Sequence, residues 1–231
     1  MEEIPKRVMV SVAHPDDAEF GAAGTVAKWT RAGSEVLYLI CTSGNKGTSD
    51  RTLSPEKLAR TREEEQRGAA KVLGVNEVVF LGYPDGGLED TPELRGKIVW
   101  HIRRFKPDAV ITFDFYRKSH NHRDHRMAGQ VTMDAVYPYA RDHLHYPEQL
   151  IEGVEPFKVG EVYLTGSDEP DVFVDISETL EAKVAALRCH ASQLGERSRD
   201  IMEFVKENAK RAGEKGGVPY AEAFRRIQMR R

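Results

Sequence analysis

The chain has 231 residues, and 34 Lys and Arg against 37 Asp and Glu give it a formal net charge of −3. This near balance gives no electrostatic case for a nucleic-acid partner, and no run approaches the roughly 18 consecutive apolar residues of a membrane-spanning helix. Hydrophobic residues make up 40% of the chain, so a chain of this length can bury an ordinary core without a disulfide or a structural metal.

Short apolar runs alternate with helical patterns through the first half of the chain. Buried strands are predicted at Val8–Val12, Val36–Cys41, Val78–Leu81 and Asp108–Phe113, with helices over about Ala18–Ala32, from Ser54 to Leu73 and from Thr91 onward. Strands that alternate with helices in this way pair in parallel through right-handed crossovers. The expected fold class is therefore α/β, a three-layer Rossmann-like and mostly parallel sheet with helices on both faces.

The second half of the chain is less regular. Its patterns predict a helix over about Asp124–Val136, strands near Val162–Thr165 and Val172–Val174, and helices from Ser177 onward. Between these elements, Tyr137–Gly160 is weakly patterned, which is typical of a long loop or of a lid beside a site. No internal repeat or low-complexity linker interrupts the sequence, so we expect a single domain over residues 1–231.

The cysteines and the N-terminal residues indicate the cellular compartment, and the C-terminal segment indicates the kind of partner. Cys41 and Cys189 cannot form a disulfide framework, and the N-terminal residues lack the basic start and apolar core of a secretion signal. We therefore expect a cytoplasmic protein. The basic segment Lys206–Arg231 fits a solvated helix face or a contact between subunits at least as well as an anionic partner. We expect a homo-oligomer, with no nucleic-acid partner and no membrane insertion.

Metal-ligating residue types follow the first and fourth predicted strands. His14 and Asp17 are three residues apart, as are His122 and His125, and this spacing points both members of a pair to one side of a helical turn. The two loops meet at the carboxyl edge of the predicted sheet, where such folds bind ligands. Imidazoles with one carboxylate suit Zn²⁺, and three protein ligands leave a position open for water, as in hydrolytic sites.

Each motif alone also has an ordinary explanation. A single histidine is usually on the surface or satisfied in the core, and Asp16-Asp17 after a strand is often a helix cap. The metal hypothesis therefore depends on the two motifs together, because they supply different ligand types at one edge of the sheet.

A resemblance to a known family rests on two specific segments, AHPDDAEFGAAG at 13–24 and HRDH at 122–125. The chain is similar there to the LmbE-like or PIG-L deacetylases, which remove the acetyl group from N-acetylglucosamine linked to a further group. Weaker similarity extends over most of the chain, at 59–75, 81–88, 190–193 and 220–224.

The resemblance implies a role for each motif residue. His14, Asp17 and His125 would bind one Zn²⁺ per subunit, and Asp16 would be the general base. His122 would stabilise the oxyanion and protonate the leaving amine, with Asp124 orienting His122. A carboxylate that does not bind the metal and a nearby imidazolium suit these two roles on chemical grounds as well.

Substrate contacts are expected from the remaining polar residues near these motifs. The candidates are Asn45, Lys46, Asp85, Arg123 and His190. A plain turn explains Asn45, Lys46 and Asp85 equally simply. Arg123 stands where the family commonly has proline and Asn45 where it often has glutamate, which puts the substrate rather than the metal site in question. Arg62 and Glu65, three apart on a helix, are interpreted as a structural ion pair.

Three functions remain open on these residues. The first is a zinc amidase that releases acetate and a free amine from an N-acetylglucosamine conjugate, or that acts on another N-acyl sugar or small-molecule conjugate. The second is a phosphohydrolase with Asp16 as nucleophile and Mg²⁺ as cofactor, although histidine ligands favour zinc over magnesium. The third is a carbohydrate-binding module that kept its metal, which the complete acid and base set disfavours.

Overall fold

The computed structural model describes residues 4–118, 122–195 and 198–229. Within these ranges the strands are β1 Arg7–Val12, β2 Glu35–Thr42, β3 Glu77–Tyr83, β4 Ala109–Phe113, β5 Glu161–Thr165, β6 Val172–Asp175 and β7 Ala221–Gln228. They form one seven-stranded sheet in the order β3-β2-β1-β4-β5-β7-β6. The first five strands pair in parallel, whereas β7 pairs antiparallel with both β5 and β6. The predicted α/β, mostly parallel sheet is confirmed.

Helices connect the strands. They are α1 Asp17–Arg31, α2 Pro55–Leu73, α3 Pro92–Phe105, α4 Arg123–Asp134, α5 Glu148–Ile151, α6 Leu180–Arg188, α7 Ala191–Leu194 and α8 Ser198–Gly216. Helices α1, α2 and α6 contact one another, as do α3 and α4, and both sets pack on the sheet. In the part of the chain that the structure describes, no helix combines the length and apolar character needed to cross a bilayer.

Local signals set the helix ends in the first half. The Ser54 hydroxyl accepts a hydrogen bond from the Lys57 backbone N–H at 3.2 Å, and α2 ends at Gly74, whose φ of 76° suits a residue without a side chain. Thr91 caps α3 in the same way. Strands β1 and β2 are buried along nearly their whole length, as parallel strands covered on both faces must be.

The prediction of helices from Ser177 onward is wrong at its C-terminal end, because Ala221–Gln228 forms β7. The segment contains Ala, Glu, Gln and Arg, which favour helices. Its register opposite β5 nevertheless buries Phe224 against Thr165 and pairs it with both neighbouring strands. Tertiary pairing thus overrides local propensity here.

The segment Tyr137–Gly160 is also more ordered than predicted. The chain kinks at Tyr137, whose φ of −145° and ψ of 124° are extended, and the segment contains the short helix α5. The fully buried Arg103 of α3 donates hydrogen bonds to the carbonyl oxygens of Tyr139, Ala140, Asp142, His145 and Tyr146. These hydrogen bonds hold residues 139–146 against α3, so this part of the segment packs on that helix.

Candidate active site

The two predicted motifs meet because β1 and β4 are neighbours in the sheet. The first motif ends in a tight turn, where the His14 backbone N–H donates to Asp17 Oδ2 at 2.7 Å and starts α1. In the second motif, His122 caps α4 by accepting a hydrogen bond at Nδ1 from the Asp124 backbone N–H at 3.2 Å. Both motifs therefore project their side chains from the first turns of helices at the carboxyl edge of the sheet.

Three imidazoles and one carboxylate form a compact cluster at this edge. Asp17 bridges two of the rings, with Oδ2 at 3.4 Å from His14 Nδ1 and Oδ1 at 3.1 Å from His125 Nε2. The ring centroid of His122 lies 4.6 Å from that of His14 and 4.8 Å from that of His125. Phe113 at the end of β4 stacks on His125 at 4.3 Å and fixes the plane of that ring.

Two groups of three described residues have their donor atoms within 4.8 Å of one another. They are His14, His122 and His125, and His14, Asp85 and Asp124. The predicted ligands His14 and His125 belong to the first group, and the third predicted ligand, Asp17, connects them. Nitrogen donors with one carboxylate fit Zn²⁺ better than a hard cation such as Mg²⁺. The residues present therefore suit a zinc ion.

Carboxylates surround His14. Burial alone would lower the pKa of His14, but the hydrogen bonds that its ring donates to the Asp17 and Asp85 carboxylates, together with their negative charges, outweigh burial and raise that pKa to about 10. Burial would raise the pKa of Asp17, yet the charges of His125 and His14 outweigh it and hold the pKa below its ordinary range. A buried pocket that keeps carboxylates ionised and close together is favourable for a cation.

Asp124 contacts both His122 and His14, and its predicted orientation of His122 stays a prediction. Its carboxylate accepts hydrogen bonds from the backbone N–H groups of Gly86 at 2.6 Å and Leu88 at 3.2 Å, and it lies 3.2 Å from His14 Nε2. Its backbone N–H donates a hydrogen bond to His122 Nδ1 at 3.2 Å. Asp124 therefore orients His14 and anchors the turn after β3. Burial and the charges of His14 and His125 lower the pKa of His122.

Asp16 lies beside the cluster in a left-handed conformation, with φ 98°. Its Oδ2 accepts a hydrogen bond from Arg62 Nη2 at 3.2 Å, and the same nitrogen donates to Pro15 O at 2.6 Å. Burial, followed by the negative charge of Asp17, raises the pKa of Asp16 to about 7. The expected Arg62–Glu65 pair is wrong, because Arg62 contacts Asp16 while Glu65 accepts hydrogen bonds from Ser192.

A chain of hydrogen bonds between buried side chains holds the turn at Asp16. Gln66 Oε1 accepts a hydrogen bond from the Asp16 backbone N–H at 2.9 Å, and Gln66 Nε2 donates to Glu19 Oε1 at 2.9 Å. Glu19 Oε2 in turn lies 3.1 Å from His190 Nε2. His190 is 0% exposed. Its ring is enclosed here and contacts Glu19, and its substrate contact stays a prediction.

The other substrate-binding candidates lie on the β2 and β3 side of the cluster. Asp85 Oδ1 is 3.2 Å from His14 Nε2, and Asp85 Oδ2 accepts from the Lys46 backbone N–H at 3.2 Å. Asn45 Oδ1 accepts from the Asp85 backbone N–H at 3.3 Å. Arg123 is exposed and its Nη2 lies 3.5 Å from Glu89, so its side chain leaves the metal cluster as expected.

Sequence reasoning did not predict the cavity beside the cluster. A cavity of about 540 Å³ opens on the β5 and β7 side. Its lining residues include Asp17, Phe20, Gly21, Phe113, Arg117, His122, His125, Thr165, Lys183, Phe204, Val205, Asn208, Ala209, Ala212, Ala221 and Glu222. Most of these come from α1, α8 and β7, which are far apart in sequence. The blocks at 13–24, 122–125 and 220–224 each contain some of its lining residues, but no pattern in the sequence joined them into a cavity.

Comparisons with known proteins agree with these observations. The sequence profile of the PIG-L family, described as GlcNAc-PI de-N-acetylase, matches residues 9–136. The chain is 35% identical over 221 residues to a diacetylchitobiose deacetylase of Thermococcus kodakarensis, which covers 95% of this chain and 82% of that protein. It is 31% identical over 193 residues to a probable N-acetyl-alpha-D-glucosaminyl L-malate deacetylase 2 of Bacillus cereus, covering 81% and 84%. A solved structure of the N,N'-diacetylchitobiose deacetylase from Pyrococcus horikoshii superposes with a TM-score of 0.93 at 32% identity, covering 97% and 84%.

Proposed function

Because the chain belongs to the PIG-L family of deacetylases, we propose that it hydrolyses the N-acetyl amide of an N-acetylglucosamine conjugate, releasing acetate and a free amine. The observation that carries this proposal is the cluster of His14, Asp17, His122 and His125 with Asp16 beside it. These residues supply metal ligands and acid and base groups at one edge of the sheet. The relatives described above are deacetylases of N-acetylglucosamine compounds, which supports the same reaction here.

We propose that His14, Asp17 and His125 hold one Zn²⁺ per subunit. Such an ion, when bound, polarises an amide carbonyl and lowers the pKa of water toward ~7. Asp124 holds His14 in place through Nε2 and through the turn at Gly86. Asp85, on the same nitrogen of His14, contributes to the negative charge that favours a cation.

Asp16 is the proposed general base. Arg62 donates to Oδ2 and Gln66 holds the backbone N–H, which leaves Oδ1 to accept a proton from the attacking water. His122 is the proposed acid, because its exposed ring faces the cavity beside His125 and can donate a hydrogen bond to the carbonyl oxygen and a proton to the leaving amine.

The test is a panel of N-acetylglucosamine conjugates and other amides, with acetate and amine release measured in the presence of zinc and after treatment with a chelator. We expect equal release of acetate and amine, lost with the metal and restored by zinc. Phosphate release from phosphomonoesters in the same preparation, without amide hydrolysis, would instead support the phosphohydrolase alternative. The cytoplasmic location and the homo-oligomer stay predictions, the second to be checked by light scattering.

A further inference from the structure

The residues Asp16-Asp17-Ala18-Glu19 begin α1 with the spacing of a capping box. In a capping box, the first side chain accepts a hydrogen bond from a backbone N–H of the first turn, and the acidic side chain three residues later accepts one from the backbone N–H of the capping residue. In the described structure the Asp16 side chain makes no capping hydrogen bond, and the Asp16 backbone N–H donates to Gln66 Oε1 of α2 at 2.9 Å. The Asp16 carboxylate is therefore not used to start the helix that follows it.

Gln66 lies between the two groups that a capping box would join. Its Oε1 accepts from the Asp16 backbone N–H, and its Nε2 donates to Glu19 Oε1 at 2.9 Å. A backbone N–H only donates and a carboxylate only accepts, so the Gln66 amide fits in one orientation. Turning this amide over would place two donors face to face at Asp16 and two acceptors face to face at Glu19.

Glu19 is held in turn by His190. The ring atom Nε2 of His190 lies 3.1 Å from Glu19 Oε2, and among the described residues its Nδ1 has no hydrogen-bond partner. The ring can therefore keep its proton on Nε2, toward Glu19. Gln66, Glu19 and His190 are all 0% exposed, and an unmade hydrogen bond is costly in such an enclosed place.

Asp16 needs this support because its backbone is left-handed, with φ 98°. A residue with a Cβ adopts this conformation at a cost in free energy, and the conformation persists only where neighbouring groups hold it. Gln66 holds the backbone N–H, and Arg62 Nη2 donates to Oδ2 at 3.2 Å. Without Gln66, we expect Asp16 to relax toward an ordinary capping conformation, in which its carboxylate turns to the backbone N–H groups of α1.

We infer that Gln66 and Glu19 are positioning residues for the proposed base. Glu19 fixes the orientation of the Gln66 amide, and this amide keeps Asp16 in the conformation that leaves its carboxylate free to take a proton from water. The inference rests on the proposed function, because it concerns the surroundings of that base. It differs from a purely structural role in one respect: loss of the hydrogen-bond chain slows the reaction in protein that is still folded and still contains zinc.

The first test is steady-state kinetics of two variants on an N-acetylglucosamine conjugate, with zinc content measured on the same preparations. Gln66→Leu has a similar size but neither donor nor acceptor, and kcat should fall about ten- to hundredfold because the base is displaced. KM and zinc content should stay near wild type, because Gln66 is enclosed and is not a proposed ligand. Glu19→Met keeps the Gln66 amide but removes what orients it, so a smaller fall of about three- to tenfold is expected.

Two results would contradict different claims. If the wild type hydrolyses the conjugate and both variants, folded and loaded with zinc, keep the wild-type kcat, the positioning inference alone is wrong. If the wild type hydrolyses no N-acetylglucosamine conjugate, the proposed function is wrong. Should Gln66→Leu not fold, Glu19→Met and the exchange described next carry the same comparison.

An exchange of the two side chains tests the order of donors and acceptors. In the double variant Glu19→Gln with Gln66→Glu, the new amide at position 19 donates to the new carboxylate at position 66. That carboxylate still accepts from the Asp16 backbone N–H, and the amide oxygen still faces His190. We expect kcat within about threefold of wild type. A folded, zinc-loaded double variant that is as slow as Gln66→Leu would overturn the inference.

A double-variant cycle links the effect to Asp16. Adding Gln66→Leu to Asp16→Asn should cause no further fall in kcat, because the base that Gln66 positions is already gone. A further fall of about tenfold or more would mean that Gln66 acts independently of Asp16, and the inference would be wrong.

Glu65→Met is the matched control on the same helix. Glu65 accepts hydrogen bonds from the Ser192 backbone N–H and hydroxyl, each at 2.7 Å, so the substitution loosens the contact between α2 and α7 and leaves the chain at Gln66 in place. Urea unfolding should show reduced stability, with kcat unchanged. A fall in kcat equal to that of Gln66→Leu would assign the effect to the packing of α2 and overturn the inference.

Discussion

The two sides of the sheet edge differ in how their residues are brought together. On the parallel side, β1 and β4 each deliver a short local motif, and His14, Asp17, His122 and His125 meet because two strands are neighbours. On the antiparallel side, the cavity is lined by scattered residues from four elements that are far apart in sequence, namely α1, α6, α8 and β7. The residues of the proposed chemistry thus lie in short segments, whereas the cavity beside them is formed by long-range packing.

One buried ion pair joins the two sides. Glu222 of β7 accepts hydrogen bonds from the backbone N–H groups of Gly24 at 3.0 Å and Thr25 at 2.7 Å, both inside α1. Lys183 of α6 donates to Glu222 at 2.6 Å and to the Phe20 carbonyl oxygen at 2.7 Å. The side chains are 4% and 5% exposed. Helix α1, which begins at the proposed metal ligand Asp17, is therefore held in place by residues of α6 and β7.

The largest expected effect comes from Asp16→Asn on the parallel side. The substitution removes the proposed base and keeps the metal ligands, so kcat should fall by roughly 10² to 10⁴. Steady-state kinetics and zinc stoichiometry measured on the same preparation check this. Loss of zinc from the variant would make Asp16 a ligand and would contradict its role as a base.

Glu222→Ala tests the buried ion pair that links β7 to α1 and α6. It leaves the Lys183 ammonium buried without its carboxylate, and we expect the free energy of unfolding to fall by about 3–5 kcal/mol. Glu222→Gln keeps an oxygen acceptor for the α1 backbone and should cost less. Urea unfolding gives both values.

The same variant also separates packing from metal binding. The proposed ligands His14, Asp17 and His125 follow β1 and β4, and Glu222 binds α1 at Gly24 and Thr25, about two helical turns beyond Asp17. Folded Glu222→Ala should therefore still bind zinc. Zinc loss at a temperature where circular dichroism shows a folded protein would mean that the two sides are not independent. Adding Lys183→Met should recover part of the lost stability, because it removes the unpaired charge.

The difference between short local motifs and long-range packing also explains which features could be predicted from the sequence. The parallel strands, their helix caps and the His14 and His122 motifs follow from local patterns, and the structure confirms their placement. The pairing of Glu222 with α1 spans 198 residues between Glu222 and Gly24, and no local pattern encodes it. For the same reason β7 was expected to be helical, and the contacts of Asp124 with the turn at Gly86 were missed.

A pH-dependent loss of stability is expected from His101 on α3, away from the metal cluster. Burial, together with the charge of Arg104, lowers the pKa of His101 to about 4. The unfolded chain binds a proton below pH ~6.5, whereas the folded protein binds it only near pH 4. Acidification between these values therefore favours unfolding, by up to about 3 kcal/mol, and the contribution is fully present above pH ~6.5. Urea unfolding at pH 7 and pH 4.5 measures the loss, which should shrink in His101→Gln; an unchanged loss would assign it to other groups.

The smallest effect is expected at Arg123, on the rim of the parallel side. Its exposed pair with Glu89 at 3.5 Å contributes about 0.2–1 kcal/mol at most, so Arg123→Ala should leave stability nearly unchanged. If the β2 and β3 side of the cluster receives the sugar and its attached group, Arg123→Ala should raise KM a few-fold for anionic conjugates and leave KM for neutral ones unchanged. Glu89→Gln frees the guanidinium from its partner and should shift KM for anionic conjugates in the opposite direction. Opposite shifts in the two variants, at constant kcat, would assign charge recognition to the parallel side, whereas equal effects on neutral and anionic conjugates would remove Arg123 from the substrate contacts.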